Sequence, residues 1–414
     1  MENHQSFTTF AILQFHFRQL ISQSMKQVII LCGLLIISLG CINKKTTREL
    51  KIVTFSESGY ALGLQHGKEL KKEIGNIISA WKKNTTSALG KDANVVIQEF
   101  FEYAKFDDAI LKWTPDLYEE VKGIAEGSGQ PLHDVLVLNL LDEFWVYNNN
   151  LKNHHCSSIG VSSRNGGPSY ISQNMDLENY TDGFQVLMRL NKTNTRAEQL
   201  ILTHPGLIAL NGMNDQGIGV CVNTIMQLKA ASFGLPVAFV VRHIINLTDK
   251  EEILNFIQTI NHASGQNYII GIKGEVYDFE ASANKVVRYL PNNENGTVYH
   301  TNHPIVNDDI KSWFAEHDPN LKDELKPTSS NSYLRFTAVE NRIKTKENLD
   351  DVSIKETLQS KDNKANPVCR TNNEDGKGFT FASVIMTLTN KPILQILAGP
   401  PDESNYKTFT FSEK

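Results

Sequence analysis

The sequence predicts a layered α+β fold in which helices come first and two series of strands flank central helices. Apolar residues recur at helical spacing through most of the first 150 residues. Beyond that point, short runs of β-branched and apolar residues are separated by Gly, Asn and Asp turns. A helical pattern returns over 236–260 and divides the strands into two series. This order of elements is typical of a layered α+β architecture.

The individual helices are predicted from apolar periodicity and from start signals. Pro131 is a start signal, because proline is favoured in the first turn of a helix. The stretch 306–330 is polar and irregular, which indicates a helix and a loop. The predicted helices lie near 59–84, 93–105, 115–127, 131–146, 236–260 (as a pair) and 330–346.

The strands are predicted from short apolar runs bounded by turn residues. Lys273–Gly274 marks a hairpin turn between two such runs, and a final apolar pair around 380–400 predicts a second hairpin. The other predicted strands follow Cys156, Pro168, Gly183, Glu198 and Gly217. We find no internal repeat and no low-complexity tract.

Composition bounds the class of protein. The chain has 414 residues, of which 40% are hydrophobic and 21% charged, and this is typical of a globular protein with a sizeable core. The formal charge is -5 and no basic stripe is evident, so nucleic acid is not expected as a partner.

The N-terminal residues 1–41 are predicted to be an export signal. From Met25, a possible true start, a Lys is followed by about a dozen apolar residues and then by Gly40 and Cys41. The pattern resembles a bacterial lipoprotein signal with Cys41 as the lipid-accepting residue, although Ser38 stands where such signals usually have Leu. We therefore expect an exported bacterial protein that touches the membrane only through a lipid anchor. A plain signal peptide or a single anchor helix is the alternative.

Cysteine usage draws attention to the stretch "NHHCSSIG" at 153–160. Of five cysteines, Cys32 would leave with the signal and Cys41 would carry lipid. Cys156, Cys221 and Cys369 remain, so at least one thiol is unpaired. Cys156 admits three interpretations: a metal ligand, a catalytic thiol or an inert buried residue.

The metal interpretation is the weakest of the three. His154 and His155 are adjacent and project in opposite directions on a strand. His300 and His303 are followed by Pro304, unlike the helical H-E-x-x-H arrangement. We predict no metal and no cofactor. A papain-like Cys–His pair requires a helix start at the cysteine, whereas a strand follows Cys156.

Four further polar residues occur in a characteristic order after Cys156. Asp176 ends "SQNMD", Asn223 follows "GIGVCV", Asn302 lies in "HTNHP", and Arg335 lies in "SYLRF". With these motifs, residues 51–412 resemble the isopenicillin-N (6-aminopenicillanate) acyltransferase family of N-terminal-nucleophile hydrolases. More distantly, the chain is similar to bile salt hydrolases and penicillin V acylases.

The resemblance implies a four-layer αββα sandwich that cleaves itself between His155 and Cys156. Residues 42–155 would become a mainly helical small subunit, and residues 156–414 would form the catalytic subunit. The free α-amine of Cys156, with an ordinary pKa of about 7.7–8.0, would accept the thiol proton. Cys156 would then attack a small linear acyl amide and form a thioester. Hydrolysis is favoured over acyl transfer for an exported protein.

The resemblance also implies roles for the other matched residues. Asp176 would orient the amine and thiol of Cys156, and Asn223 would stabilise the oxyanion. Asn302 would lie near the amine, and Arg335 would pair with acidic groups around the nucleophile. Simpler roles are a turn cap for Asp176, a strand end for Asn223 and a surface helix position for Arg335.

Two departures from the family pattern are visible, and a second class of function remains open. Bile salt hydrolases carry Arg where Gln173 stands, so Gln173 favours the acyltransferase branch. His155 occupies a place where that branch often has Gly, which bears on the rate of self-cleavage. The competing hypothesis is a catalytically silent surface lipoprotein that uses the same fold as a binding module.

Overall fold

The computed structural model describes residues 48–148, 155–290, 296–317, 331–344, 346, 348–372 and 378–412. The chain divides into two units, Met1–Thr47 and Arg48–Lys414, and every described residue belongs to the second. Within the described ranges, no helix is both long enough and apolar enough to cross a bilayer. The predicted signal and its Cys41 lie outside the described residues.

In the part of the chain that the structure describes, seven helices precede the second strand, and the other helices lie between or after strands. The first seven are α1 Gly59–Glu69, α2 Lys71–Leu89, α3 Ala93–Tyr103, α4 Asp107–Trp113, α5 Pro115–Ser128, α6 Leu132–Leu138 and α7 Leu141–Tyr147. The others described are α8 Val237–Asn246, α9 Lys250–Thr259, α10 Ser312–His317, α11 Asn331–Ile343 and α12 Asp351–Leu358, with a 3-10 turn at Asn179–Thr181.

Fourteen strands are described in these ranges. They are β1 Lys51–Phe55, β2 Ser157–Val161, β3 Ser169–Leu177, β4 Val186–Leu190, β5 Gln199–Thr203, β6 Asn211–Asn214 and β7 Ile218–Thr224, followed by β8 Gln266–Ile272, β9 Glu275–Ala281, β10 Val286–Arg288, β11 Thr297–His300, β12 Phe379–Leu388, β13 Ile393–Ala398 and β14 Lys407–Thr410.

The strands form two sheets. An eight-stranded sheet has the order β1-β4-β5-β6-β7-β8-β9-β10, and a six-stranded sheet has the order β11-β2-β3-β12-β13-β14. Neighbouring strands are antiparallel except β1, which pairs in parallel with β4. The predicted hairpin at Lys273–Gly274 is confirmed as the β8–β9 turn.

Three apolar layers separate the helices and sheets. The largest packs α1–α9 on the eight-stranded sheet, with Trp81 and Phe144 among its buried residues. A second layer, including Ile269 and Met386, lies between the sheets. A third packs α11 and α12 on the six-stranded sheet around Ile159. The predicted four-layer αββα sandwich is confirmed.

Two predicted helices are each divided in the structure. The stretch 59–84 breaks at Leu70, so that α1 packs against α5 while α2 follows a separate apolar face. The stretch 131–146 breaks at Asn139, whose side-chain amide donates to the carbonyls of Val135 and Gly206 at 2.9 Å. Asparagine competes for backbone hydrogen bonds in this way, and apolar periodicity does not detect it.

Close contact between α1 and α5 depends on four glycines. Each helix contributes two, four residues apart: Gly63 and Gly67 on α1, and Gly123 and Gly127 on α5. A Cβ at any of these positions would meet a backbone oxygen of the other helix well inside van der Waals contact. Because backbone atoms cannot move aside as a flexible side chain does, only glycine allows this approach.

We predict that Gly63→Ala and Gly127→Ala each lower the free energy of unfolding by more than about 2 kcal/mol, because the helices must separate. The matched control is Gly75→Ala in α2, where the new Cβ would meet only the Gln130 side chain, at 3.4 Å. There the better helix propensity of alanine should leave stability unchanged or raise it by up to about 1 kcal/mol. Urea denaturation measures all three, and equal losses would contradict the prediction.

Candidate active site around Cys156

Cys156 lies immediately before β2, a strand flanked by β11 and β3 in the six-stranded sheet. Its side chain belongs to the apolar layer between the two sheets. The Sγ atom is 3.5 Å from Met175 Sδ and 3.8 Å from the backbone carbonyl of Asp176. Cys156 and Asp176, twenty residues apart in sequence, are therefore neighbours across the β2–β3 pair.

A buried guanidinium holds the backbone of Cys156. Arg335, in α11, is fully buried, and its Nη1 donates to the Cys156 carbonyl at 2.5 Å and to Ser157 Oγ at 2.9 Å. Its Nη2 donates to Asn302 Oδ1 at 2.9 Å, and its Nε donates to Asn331 Oδ1 at 2.7 Å. Burial lowers the pKa of Arg335 to about 10, so the group remains a cation at neutral pH.

Asn302 is held on both sides of its side-chain amide. Its Oδ1 accepts from Arg335, and its Nδ2 donates to the Thr224 carbonyl at 3.0 Å. Its backbone N–H donates to Ser332 Oγ at 2.7 Å. Asn302 thus joins the end of β7 in one sheet to the arginine that holds Cys156 in the other.

The Asp176 carboxylate is buried, and few neighbouring groups stabilise its charge. It is 2% exposed, and neither oxygen accepts a hydrogen bond of ordinary geometry from the described residues. Arg370 Nε is 3.8 Å from Oδ2 and forms a long ion pair. Burial raises the pKa of Asp176 to about 6, although Arg370, Arg335 and the nearby Thr380 hydroxyl favour the carboxylate. A buried acceptor without a donor is costly.

The Cys156 thiol is held in its protonated form at neutral pH. Burial raises its pKa to about 12, and the negative charge of Asp176 contributes further. The thiolate is therefore scarce at neutral pH, and a thiol is a poor nucleophile. A proton acceptor close to the sulfur is needed before this cysteine can react.

Asn223 makes no hydrogen bond to Cys156 among the described contacts, but it bonds Ser158 in β2, the strand that follows Cys156. Its Oδ1 accepts from Ser158 Oγ at 2.6 Å and from Gln173 Nε2 at 3.4 Å. Its Nδ2 donates to the His300 carbonyl at 3.3 Å. Since an amide nitrogen carries two hydrogens, one of them remains for another acceptor. Gln173 also accepts from Asn211 Nδ2 at 2.7 Å, so it ties the two sheets together.

Glu280 anchors the loop that carries Asn302, a role that the sequence analysis missed. Its carboxylate accepts the backbone N–H groups of residues 305–307 at 2.6–3.0 Å. His300 Nε2 is 2.8 Å from the same carboxylate, and His300 Nδ1 is 2.7 Å from the Thr301 carbonyl. Both ring nitrogens face acceptors, which favours the imidazolium, and the pKa of His300 is raised despite its burial. The sequence signal that could have pointed to Glu280 was the presence of acidic residues in an otherwise apolar strand pattern, "VYDFEA".

Four of the five residues predicted as catalytic are thus brought together, and the fifth is linked to them. Cys156, Asp176, Asn302 and Arg335 lie in one connected cluster, and Ser158 links Asn223 to it. Arg335 is buried, so it is not the surface helix residue that its amphipathic helix also suggested. Arg370 belongs to the cluster and was not predicted. His154 lies outside the described residues, and among the described residues no three His, Cys, Asp or Glu side chains are placed to hold a metal ion.

A cavity opens beside Cys156 between the helical layer and the strand ends. Most of its lining is aliphatic or aromatic, including Leu138, Trp145 and Val241. Cys156 and Asp176 form part of the same wall. A cavity that is mainly apolar and reaches a potential nucleophile is a typical small-molecule site.

Residues 163–403, more than half of the chain, match the family described as acyl-coenzyme A:6-aminopenicillanic acid acyl-transferase. The chain belongs to this acyltransferase family. A family relative from Emericella nidulans, the 40 kDa form of acyl-coenzyme A:6-aminopenicillanic-acid-acyltransferase, is 23% identical over 365 residues. That similarity covers 86% of this chain and 96% of the relative.

Three solved structures are similar to this acyltransferase family member. The N-acylethanolamine-hydrolyzing acid amidase ortholog of Caenorhabditis elegans has a TM-score of 0.38 at 15% identity, over 62% of this chain and 100% of its own. A mutant of the conjugated bile acid hydrolase of Clostridium perfringens has a TM-score of 0.35 at 14% identity, over 62% of this chain and 97% of its own. Penicillin V acylase of Agrobacterium tumefaciens has a TM-score of 0.33 at 12% identity, over 59% of this chain and 83% of its own.

We predict that Asp176→Asn stabilises the uncut chain at neutral pH. Because the folded pKa of about 6 lies above the unfolded value near 3.9, the folded state binds more protons between these values, and stability falls as pH rises through them. In a Cys156→Ala background, the gain should be near zero at pH 4 and reach about 2–3 kcal/mol at pH 7.

The measurement is urea denaturation at several pH values. The control is Asp362→Asn, which removes a surface carboxylate paired with Arg342 and should give no such gain. A gain for Asp176→Asn that is the same at pH 4 and pH 7 would argue against a buried, ionised carboxylate.

Proposed function

We propose that this protein is a cysteine N-terminal-nucleophile amidohydrolase that cleaves itself between His155 and Cys156. The observation that carries the proposal is the buried Asp176 carboxylate, which accepts no hydrogen bond of ordinary geometry from the described residues and whose negative charge raises the pKa of the Cys156 thiol. A free α-amine on Cys156 would supply hydrogen-bond donors to that carboxylate, and a positive charge as well once it holds the thiol proton. Cleavage would therefore relieve an unfavourable arrangement of the uncut chain.

Self-cleavage proceeds through a thioester. The Cys156 sulfur attacks the carbonyl carbon of His155, the C–N bond breaks, and the nitrogen becomes the α-amine of Cys156. Water then hydrolyses the thioester, which leaves a carboxylate on His155 and restores the thiol. Asp176, with a pKa of about 6, is a stronger base than an exposed aspartate; it accepts the thiol proton before any amine exists and passes that proton to the departing nitrogen.

Substrate cleavage repeats the same chemistry with the liberated amine as base. The amine takes the thiol proton, the sulfur attacks the substrate carbonyl, and the protonated amine returns the proton to the leaving nitrogen. The remaining Asn223 N–H stabilises the oxyanion. Arg335 and Asn302 hold the nucleophile's backbone in place, and water completes the reaction by hydrolysing the thioester.

The substrate is a linear acyl amide. The apolar lining of the cavity supports an acyl group near Cys156. An amine or thiol acceptor in place of water would give acyl transfer. We also propose export with a lipid on Cys41, on the N-terminal sequence pattern alone; hydrolysis is then the main outcome, because thioester donors are scarce outside the cell.

We predict that wild-type protein consists of two fragments, one of which begins Cys-Ser-Ser-Ile, and that Cys156→Ala remains a single chain. Denaturing gels, intact mass and N-terminal sequencing measure this. Cys221→Ala and Cys369→Ala, which remove the other two buried free thiols of the described residues, are matched controls that should still be cut. A single uncut wild-type chain, inert toward acyl amides, would support the silent binding module instead.

Removal of the oxyanion donor should lower turnover without unfolding the protein. We predict that Asn223→Ala reduces kcat by about 100- to 1,000-fold, the usual loss for one oxyanion-hole amide. Ser158→Ala is the control, because it deletes the hydroxyl bonded to Asn223 Oδ1 but leaves the amide donor. Single-turnover assays on the cut proteins measure both, and similar losses in the two variants would show a structural role for Asn223.

A further inference from the structure

Asp142 comes from α7, ahead of the proposed cut, yet its side chain reaches the end of β7. It is half-buried and lines the cavity together with Cys156 and Thr224. Its negative charge also contributes to the raised pKa of the Cys156 thiol. Asp142 therefore lies near Cys156, although no hydrogen bond joins the two in the described structure.

One oxygen of Asp142 binds the facing ends of two paired strands. Thr224 ends β7 and Gln266 begins β8, and the two residues are paired across the sheet. Thr224 Oγ1 donates to Asp142 Oδ2 at 2.6 Å, and Gln266 Nε2 donates to the same oxygen at 2.8 Å. Hydrogen bonds to an ionised acceptor are stronger than those between neutral groups, so this carboxylate fixes the position of both strand ends.

The end of β7 carries two features of the candidate active site. Asn223, whose amide we assign to the oxyanion, directly precedes Thr224. The Thr224 carbonyl accepts from Asn302 Nδ2 at 3.0 Å, and Asn302 Oδ1 in turn accepts from Arg335, which holds the Cys156 carbonyl. A displacement of this strand end would therefore move both the oxyanion donor and the residues that hold the nucleophile.

The next residue, Glu143, holds α7 itself in place. Its Oε1 accepts from the Val237 backbone N–H at 3.1 Å and from Ser264 Oγ at 2.6 Å. Glu143 is 3% exposed, and its two partners lie at the start of α8 and just before β8. Because its helix is bound in this way, Asp142 has a fixed position from which to hold the end of β7.

We propose that Asp142 is a positioning residue for the reaction, which fixes the end of β7, and with it Asn223 and Asn302, in the arrangement that catalysis needs. This inference rests on the proposed function. It gives the chain piece ahead of the cut a role in the geometry around Cys156. Asp142 acts by accepting hydrogen bonds, and it neither takes up nor releases a proton during the reaction.

Two substitutions at Asp142 separate its hydrogen bonds from its charge. Asp142→Ala removes the acceptor, so kcat of the cut protein should fall about 10- to 100-fold with KM little changed, since small misplacements of reacting groups cost about this much. Asp142→Asn keeps an acceptor oxygen, so kcat should stay within about threefold of the wild type. Steady-state hydrolysis of octanoyl glycinamide measures both. Self-cleavage, followed over time on denaturing gels, should slow in Asp142→Ala as well.

Thr224→Val tests the same hydrogen bond from the other side. Valine has the shape of threonine without the hydroxyl, and it leaves the backbone carbonyl that binds Asn302. Thr224→Val should also lower kcat, and the double variant should lose little more than Asp142→Ala alone, because the two groups act through one bond. Losses that multiply in the double variant would contradict the proposal.

Asp134→Ala is the matched control. Asp134 is a buried carboxylate in α6, and its partner is Lys82, at 2.7 Å, rather than a residue of the site. This variant should lower the free energy of unfolding in urea and leave kcat unchanged. Equal losses of kcat in Asp134→Ala and Asp142→Ala would show a loss of stability alone and would overturn the positioning role.

The remaining outcomes separate this inference from the proposed function. If Asp142→Ala keeps kcat within about threefold of the wild type, or if Asp142→Asn loses as much as Asp142→Ala, the positioning role is wrong while the amidohydrolase stands. If the wild-type protein is neither cut nor active on the amide, the proposed function fails, and the role of Asp142 fails with it.

Discussion

The structure around Cys156 depends on one buried cation. Arg335 comes from a helix in the outer layer, yet it bonds the carbonyl of Cys156, the hydroxyl of Ser157 and the amide of Asn302. A planar guanidinium has five donors in a fixed fork, so it can hold two chain segments at defined angles where a lysine cannot. The position of Cys156 therefore depends on a residue 179 positions away in the sequence.

Two buried carboxylates lie near Cys156 and the loop that carries Asn302. Asp176 and Glu280 are both buried carboxylates, but their environments are opposite. Glu280 accepts three backbone N–H groups and faces His300, so it stabilises the loop of Asn302. Asp176 accepts no hydrogen bond from the described residues. The first arrangement is structural, whereas the second is typical of a site that sacrifices stability to bind something else.

The two sheets meet at the site through polar contacts rather than through apolar packing alone. Ser158 and Gln173 on the six-stranded sheet bond Asn223 and Asn211 on the eight-stranded sheet. Hydrogen bonds of fixed geometry in a low-dielectric interior specify one relative position of the sheets. Cys156 and Asn223, whose amide we assign to the oxyanion, lie on opposite sheets, so the relative position of the sheets controls their separation.

Local pattern and motif order were sufficient to predict the layered fold, most helices and strands, and the candidate residues Cys156, Asp176, Asn223, Asn302 and Arg335. Periodicity reports which face of an element is apolar, and that property is local. The break at Asn139, the anchoring by Glu280, the presence of Arg370 and the cavity beside Cys156 were decided by tertiary structure. Each depends on partners far apart in sequence, and the energy of a buried polar group is set by those partners rather than by its neighbours along the chain.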